Sequence, residues 1–145
     1  MADVTTTSAL LDLVGSTRNS VLATLKRDGR PQLSNVTHHY DPDRRLVRVS
    51  VTADRAKARN LERDPRASLH VTSEDFWSWA VVEGEVSLSA VAQREDDEAV
   101  TELVDLYRAL AGEHPDWDDY RRTMVRDRRR VVRLPVGHVY GQLPG

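Results

Sequence analysis

The chain has 145 residues, a net charge of -2 and no cysteine. A compact fold of that length buries roughly 70% of its unfolded surface, so a single domain over 1–145 with one real core is expected. The near balance of acids and bases argues against nucleic acid or an anionic membrane as the main partner, and the lack of cysteine excludes disulfides, thiolate nucleophiles and cysteine-ligated metal centres.

Met1 to Thr7 lacks the basic start and apolar stretch of a secretory signal, and no window approaches the roughly 18 apolar residues of a membrane span, so a soluble cytoplasmic protein is expected. Leu10, Leu13 and Val14 share one face of a short helix over Ser8–Val14, which Gly15 should end. Val21–Leu25 reads as a strand, Lys26-Arg27-Asp28-Gly29 as a tight turn and Gln32–Tyr40 as the returning strand. A turn at Asp41–Arg44 leads into Leu46–Val51, where valines alternate with Leu46, Arg48 and Ser50.

Arg55–Asp64 is predicted as a short helix, with Thr52 and Asp54 as caps and Pro65 as the stop. Strand resumes at Ala67–Thr72. After a polar turn, Trp77–Leu88 reads as one long half-exposed strand with Val82, Gly84, Val86 and Leu88 on one face. Asp96–Ala111 is the clearest helix, its apolar stripe running from Val100 to Ala111 and Gly112 lying just beyond it. A weaker helix starts at His114-Pro115-Asp116 and runs through Val125, and Val131–Tyr140 returns to strand with a break at Pro135 and Gly137. This order predicts a mainly β (α+β) fold, a small antiparallel barrel with peripheral helices.

Three clusters carry candidate chemistry. Thr52-Ala53-Asp54-Arg55-Ala56-Lys57 places two cations and the amides of a helix start at one point, which is how a fold builds a phosphate site; a solvated basic helix continuing through Arg59, Arg63 and Arg66 is the alternative. Lys57 stands out because it and Lys26 are the only lysines among 21 basic residues. Phe76-Trp77-Ser78-Trp79-Ala80 gathers three of the eight aromatics, and on a strand Trp77 and Trp79 would share a face. They could wall the pocket of a planar ligand, anchor a subunit interface, or simply fill a core.

The third cluster is polar: Gln32, Ser34, Asn35, Thr37, His38 and His39 in one strand, fitting either a ligand's hydrogen-bonding edge or a solvated face. No metal centre is expected, because His38 and His39 diverge on a strand and no histidine pair has ligating spacing. Asp116, Asp118 and Asp119 read as a helix cap rather than a calcium loop, and the run Arg126, Arg128, Arg129 and Arg130 as a solvated face. Hydrolase, Walker and dinucleotide-binding motifs are absent.

Taken together, several segments resemble the pyridoxamine 5′-phosphate oxidase-like split-barrel superfamily, and especially its actinobacterial members that bind the 8-hydroxy-5-deazaflavin coenzyme F420. They are Val21–Leu25, Asp28–Val36, Arg55–Leu61, Asp64–Ser68, Trp77–Ala80 and Gly137–Gly141. The resemblance runs through nearly the whole chain. It implies an FMN-binding-type split barrel and a homodimer with two cofactor sites between subunits.

Carried over, Arg55 and Lys57 would hold the cofactor phosphate, with backbone contacts from Ser50, Val51 and Ala56. Gln32, Ser34 and Asn35 would lie near the ring system, and Trp77, Ser78, Trp79, Ala80 and Tyr140 would close the pocket. The implied function is an F420-dependent oxidoreductase acting on a small planar or enone-like substrate, with no obligatory catalytic side chain. A non-catalytic F420 carrier and an FMN-binding oxidase are the alternatives. Pyridoxamine phosphate oxidases place consecutive Ser-Arg-Lys at the phosphate loop, so Arg55-Ala56-Lys57 argues against vitamin B6 oxidation.

Overall fold

The computed structural model describes residues 4–144. In chain order these form α1 (Val4–Ser16), β1 (Asn19–Leu25), β2 (Pro31–Asp41), β3 (Leu46–Thr52), α2 (Ala56–Arg63), β4 (Arg66–Thr72), β5 (Trp79–Glu85), β6 (Ser87–Leu88), α3 (Glu98–Ala111), α4 (Trp117–Arg126), β7 (Arg129–Pro135) and β8 (His138–Gln142). The strands make one antiparallel sheet in the order β6-β7-β3-β2-β1-β4-β5-β8, curled into a half-barrel with four helices about it. None of the described helices is long and apolar enough to cross a membrane.

Alternation along the strands sorts every residue to one of two faces. The inner row Ser34, Leu22, Leu69, Val82 and Val139 runs straight across β2, β1, β4, β5 and β8. Its apolar members join Val47, Val49 and Val51 of β3 and Val132 and Leu134 of β7 in the main core, closed by Leu10, Leu11 and Val14 of α1 and Leu61 of α2. A smaller core forms where Val100, Leu103 and Val104 of α3 and Met124 of α4 pack on Val131. The outer row directly behind the first is Asn35, Val21, His70, Val81 and Tyr140.

The curl closes where β5 meets the end of β7. A Cβ on Gly84 would collide with the carbonyl of Pro135, so the backbones approach as only glycine allows. The Gly137 amide donates to the Glu83 carbonyl at 2.9 Å across the same corner.

The predicted stretch Trp77–Leu88 is thus two strands. β5 pairs with β4, whereas β6 crosses to β7 at the opposite end of the sheet order. The chain switches at Val86, whose amide donates to the Pro65 carbonyl at 2.8 Å. At its other end β5 starts at Trp79, because Ser73 and Ser78 close a loop in which Phe76 takes a φ of 74°.

Two terminus assignments also differ. The N-cap of α2 is Arg55, which offers no side-chain bond, rather than Thr52 or Asp54. α1 runs past Gly15 to Ser16, where the Ser16 and Thr17 hydroxyls donate to the carbonyls of Leu13 and Val14 and take the place of a glycine cap. Of the two later helices, α4 keeps its expected acidic cap, Asp116 accepting from the Asp119 amide, and Gly112 ends α3 at a φ of 79°; the N-cap of α3 is Asp97, which accepts from the Val100 amide, so the helix starts at Glu98 rather than Asp96.

Candidate functional site

The pairing of β2 with β3 runs from Asp41↔Leu46 to His38↔Val49 and stops there. Beyond it the strands splay, and between them opens a cavity of about 490 Å³ lined by Asn35 and Thr37 of β2, Ser50 and Thr52 of β3, and Arg55, Lys57 and Arg129. The continuous pairing of β3 with β7 sets Arg129 opposite Thr52, at the cavity rim.

Sequence reading missed Arg129. It lies in an arginine run that reads as solvent-facing, and nothing local marks which member the register delivers to the pocket. Its neighbour Arg130 is engaged elsewhere, bonding to Glu62 and to the Ser89 carbonyl.

These cations are under electrostatic tension. Burial, then the charges of Arg55 and Arg129, hold the Lys57 ammonium below the ordinary lysine pKa of 10.5. The Arg129 Nε is buried and has no hydrogen-bond partner. The first-turn amides of α2 are not capped by a side chain and carry the positive end of the helix dipole. Three cations with an orphaned buried donor beside a bare helix start fit a phosphate, which would supply acceptors and relieve the repulsion together.

Of the other residues singled out from sequence, Asn35, Ser50 and Val51 line this same cavity. Gln32 and Ser34 lie on the opposite, inward side of β2 from Asn35. The Gln32 Oε1 accepts from the Asn60 Nδ2 at 2.7 Å, and Gln32 and Ala56 border a separate basic pocket near Arg59 and Arg63. Ala80 is fully buried in the core, and Ser78 is held in the loop preceding β5 by the Ser73 hydroxyl.

Trp77 is 74% exposed on that loop and shares no strand face with Trp79. Trp79 does meet Tyr140, edge to face at 5.9 Å, and His70, with ring centres 6.0 Å apart. This aromatic group lies on the outer face of β4, β5 and β8. Leu33, 66% exposed, and Tyr140, 42% exposed, leave that face open to solvent.

Two further cavities open on the outer face. One, of about 330 Å³, is bordered by Val21, Asn35, His70 and Thr72, so Asn35 is a wall common to it and the cationic cavity. The other, of about 440 Å³, is lined by Ala23, Ala67 and Gly84 and carries Glu83 and Glu85 beside Arg66, so it lacks the excess of positive charge that the first cavity has. Among the described residues no cluster of histidine and carboxylate side chains could hold a metal ion.

Solved structures of the same fold include a conserved hypothetical protein of Mycobacterium tuberculosis (21% identity, TM-score 0.72, covering 100% of this chain and 90% of that one). An F420 reductase is similar at 20% identity and a TM-score of 0.66, over 89% of this chain and 94% of the other. A heme binding protein from Mycobacterium smegmatis is similar at 20% identity and a TM-score of 0.67, over 98% of this chain and 59% of its own. At these identities the likeness is one of fold. The family model described as pyridoxamine 5′-phosphate oxidase matches residues 6–142, and the chain belongs to that family, built on the flavin-binding split barrel.

Proposed function

We propose that this chain binds the deazaflavin coenzyme F420 and transfers hydride between it and a small substrate, as a homodimer whose subunits meet on the open sheet face. The observation that carries the reading is the cationic cup of Arg55, Lys57 and Arg129, with its unpartnered buried Nε. Arg55 and Arg129 would fork onto phosphate oxygens and Lys57 would add a point charge. Asn35 and the splayed edge of Ser50 and Val51 would orient the chain leading from phosphate to ring. Trp79 and Tyr140 would offer aromatic faces farther along the sheet.

Bound there, the deazaflavin would supply a two-electron carrier, and the protein's part would be to hold it in register and keep water away. The exposed Leu33, Trp77 and Tyr140 would be covered by the second copy. Titration of the purified protein with oxidised and reduced coenzyme tests the reading, and absence of binding would sink it.

Riboflavin phosphate also carries a phosphate group, so the cup alone does not choose between the two ring systems. The visible spectrum of the protein as purified does, since the visible band of a bound flavin lies at longer wavelength than that of the deazaflavin. Tight coenzyme binding without turnover across a broad panel of acceptors would instead make the chain a carrier.

A further inference from the structure

The loop joining β4 to β5 holds its two largest side chains in solvent: Phe76 is 78% exposed and Trp77 is 74% exposed. A closed set of hydrogen bonds keeps it so. The Ser73 amide donates to the Ser78 carbonyl, the Phe76 amide to the Ser73 carbonyl and the Ser78 amide to the Ser73 hydroxyl. That hydroxyl and the Trp77 amide both donate to Asp75 Oδ1. Phe76 takes a φ of 74°, which a bulky side chain adopts only where its surroundings impose it. A loop tied this firmly, with two aromatics facing water, is shaped to meet another surface.

The far end of the same hairpin has the opposite shape. Small residues stand there on three adjacent strands, Ala23 on β1, Ser68 on β4 and Gly84 on β5, and the outer face sinks into the cavity of about 440 Å³. Leu25 and Pro31 add apolar walls, and Glu83 and Glu85 border it on β5. That volume accommodates an aromatic side chain.

Loop and cavity lie equally far from the outer row of Val21, His70 and Val81. Trp77 precedes Val81 by as many positions as Arg66, at the cavity rim, precedes His70, about 13 Å of extended chain in each case. The two strands run antiparallel, so the spans point in opposite directions. A two-fold axis laid along that row sets every strand over its own counterpart running the other way. Each loop then falls on the other copy's cavity, the reciprocity that an isologous interface requires.

Charge agrees with shape. The loop carries the exposed Glu74 and Asp75, whereas the cavity end carries the exposed Lys26 and Arg30 of the β1–β2 turn and Arg66 on the rim. The Trp77 indole N–H can only donate, and the Glu83 and Glu85 carboxylates can only accept.

From this match we infer that the Phe76-Trp77 tip of one copy of the chain seats in the cavity of Ala23, Ser68 and Gly84 on a second copy, and reciprocally. The inference rests on the homodimer of the proposed function and says how its copies meet. It also gives Trp77, which the family resemblance places over the coenzyme, a seat on the partner's sheet instead. The indole is the anchor of the contact, and the valines of the axial row meet their own counterparts between the two seats.

The chain has no cysteine, so thiols can be placed at will in the full-length protein. Glu74→Cys and Glu85→Cys leave the aromatic tip and the cavity floor intact. The two proteins are mixed in equal amounts, allowed to exchange subunits and treated with a short bismaleimide. Cross-linked dimers are expected in the mixture and not in either protein alone, where like thiols stand roughly 26 Å apart across the axis. In equilibrium sedimentation, Trp77→Ser is expected to raise the dimer dissociation constant about thirtyfold or more.

Glu74→Cys that cross-links to itself overturns the arrangement, because the strands then meet in parallel. Dimers that cross-link in no mixture, or a wild-type dissociation constant in Trp77→Ser, overturn the seat while leaving the homodimer standing. Wild-type protein that sediments only as a monomer overturns the seat and the homodimer together, and coenzyme titration of the same sample judges the cofactor part of the proposed function separately.

Discussion

At Lys57 burial, Arg55 and Arg129 all act in one direction, favouring loss of the ammonium proton. A bound phosphate acts in the other. Linkage then gives the affinity a pH dependence: the free protein loses the proton at lower pH than the complex does, so phosphate binding weakens as pH rises through the lowered pKa. Lys57→Arg, which stays charged throughout, should flatten that alkaline fall. Coenzyme titrations across the alkaline range check this, and parallel profiles for the two proteins would contradict it.

Arg129 makes a sharper case. Its removal deletes a charge-assisted bond worth about 1.5–3 kcal/mol, so Arg129→Met should weaken coenzyme binding roughly ten- to hundredfold. It also removes an unpartnered buried donor, so the thermal midpoint of the cofactor-free variant should equal or exceed that of wild type. A fall in that midpoint would assign Arg129 to the scaffold.

Among the elements, α1 is fastened to the sheet by His38. The Val14 carbonyl can only accept, so His38 Nε2 donates to it at 2.9 Å, and Nδ1 accepts from the Ser20 hydroxyl at 2.7 Å. Burial, working against the bond to Val14, holds the His38 pKa below 6.5, and His39 is lowered in the same direction, chiefly by burial.

The unfolded chain therefore binds protons that the folded one refuses. Stability is full above 6.5 and declines as pH falls below it, by at most about 1.4 kcal/mol per pH unit for each histidine. Urea unfolding from about pH 7 to about pH 5 should show this slope, shallower in His38→Gln, and equal slopes would refute the assignment. At the other closure, Gly84→Ala forces a Cβ against the Pro135 carbonyl and should lower stability by about 3 kcal/mol in the same assay.

Elements with local causes were legible in the sequence. The hairpin turn needs Gly29, whose φ is 85°, and α3 carries its own apolar stripe and its own stop at Gly112. What depended on distant partners was not. Alternation through Trp77–Leu88 continues unbroken in the sequence, yet the chain changes partner strand at Val86 because the sheet curls back on itself. The place of Arg129 escaped for the same reason: the register with β3 sets it at the cavity rim, and register is a tertiary property.

Across the whole molecule, the split in the barrel and the open sheet face belong to one design. Where β2 leaves β3 the cup forms, and Asn35 joins it to the face bearing His70, Trp79 and Tyr140. If a second copy covers that face, Leu33→Asp should yield monomers in equilibrium sedimentation and weaken coenzyme binding, because the site would lose a wall contributed by the partner. Dimers surviving that substitution would locate the interface elsewhere.

The central claim is that Arg55, Lys57 and Arg129 hold the phosphate of a deazaflavin. Its most direct measurement is a coenzyme F420 titration of wild-type protein beside the double variant Arg55→Ala with Lys57→Ala. Saturable binding in the wild type and a loss of about a hundredfold or more in the variant is the predicted result. Equal affinity in the two proteins, or no binding in either, would contradict it.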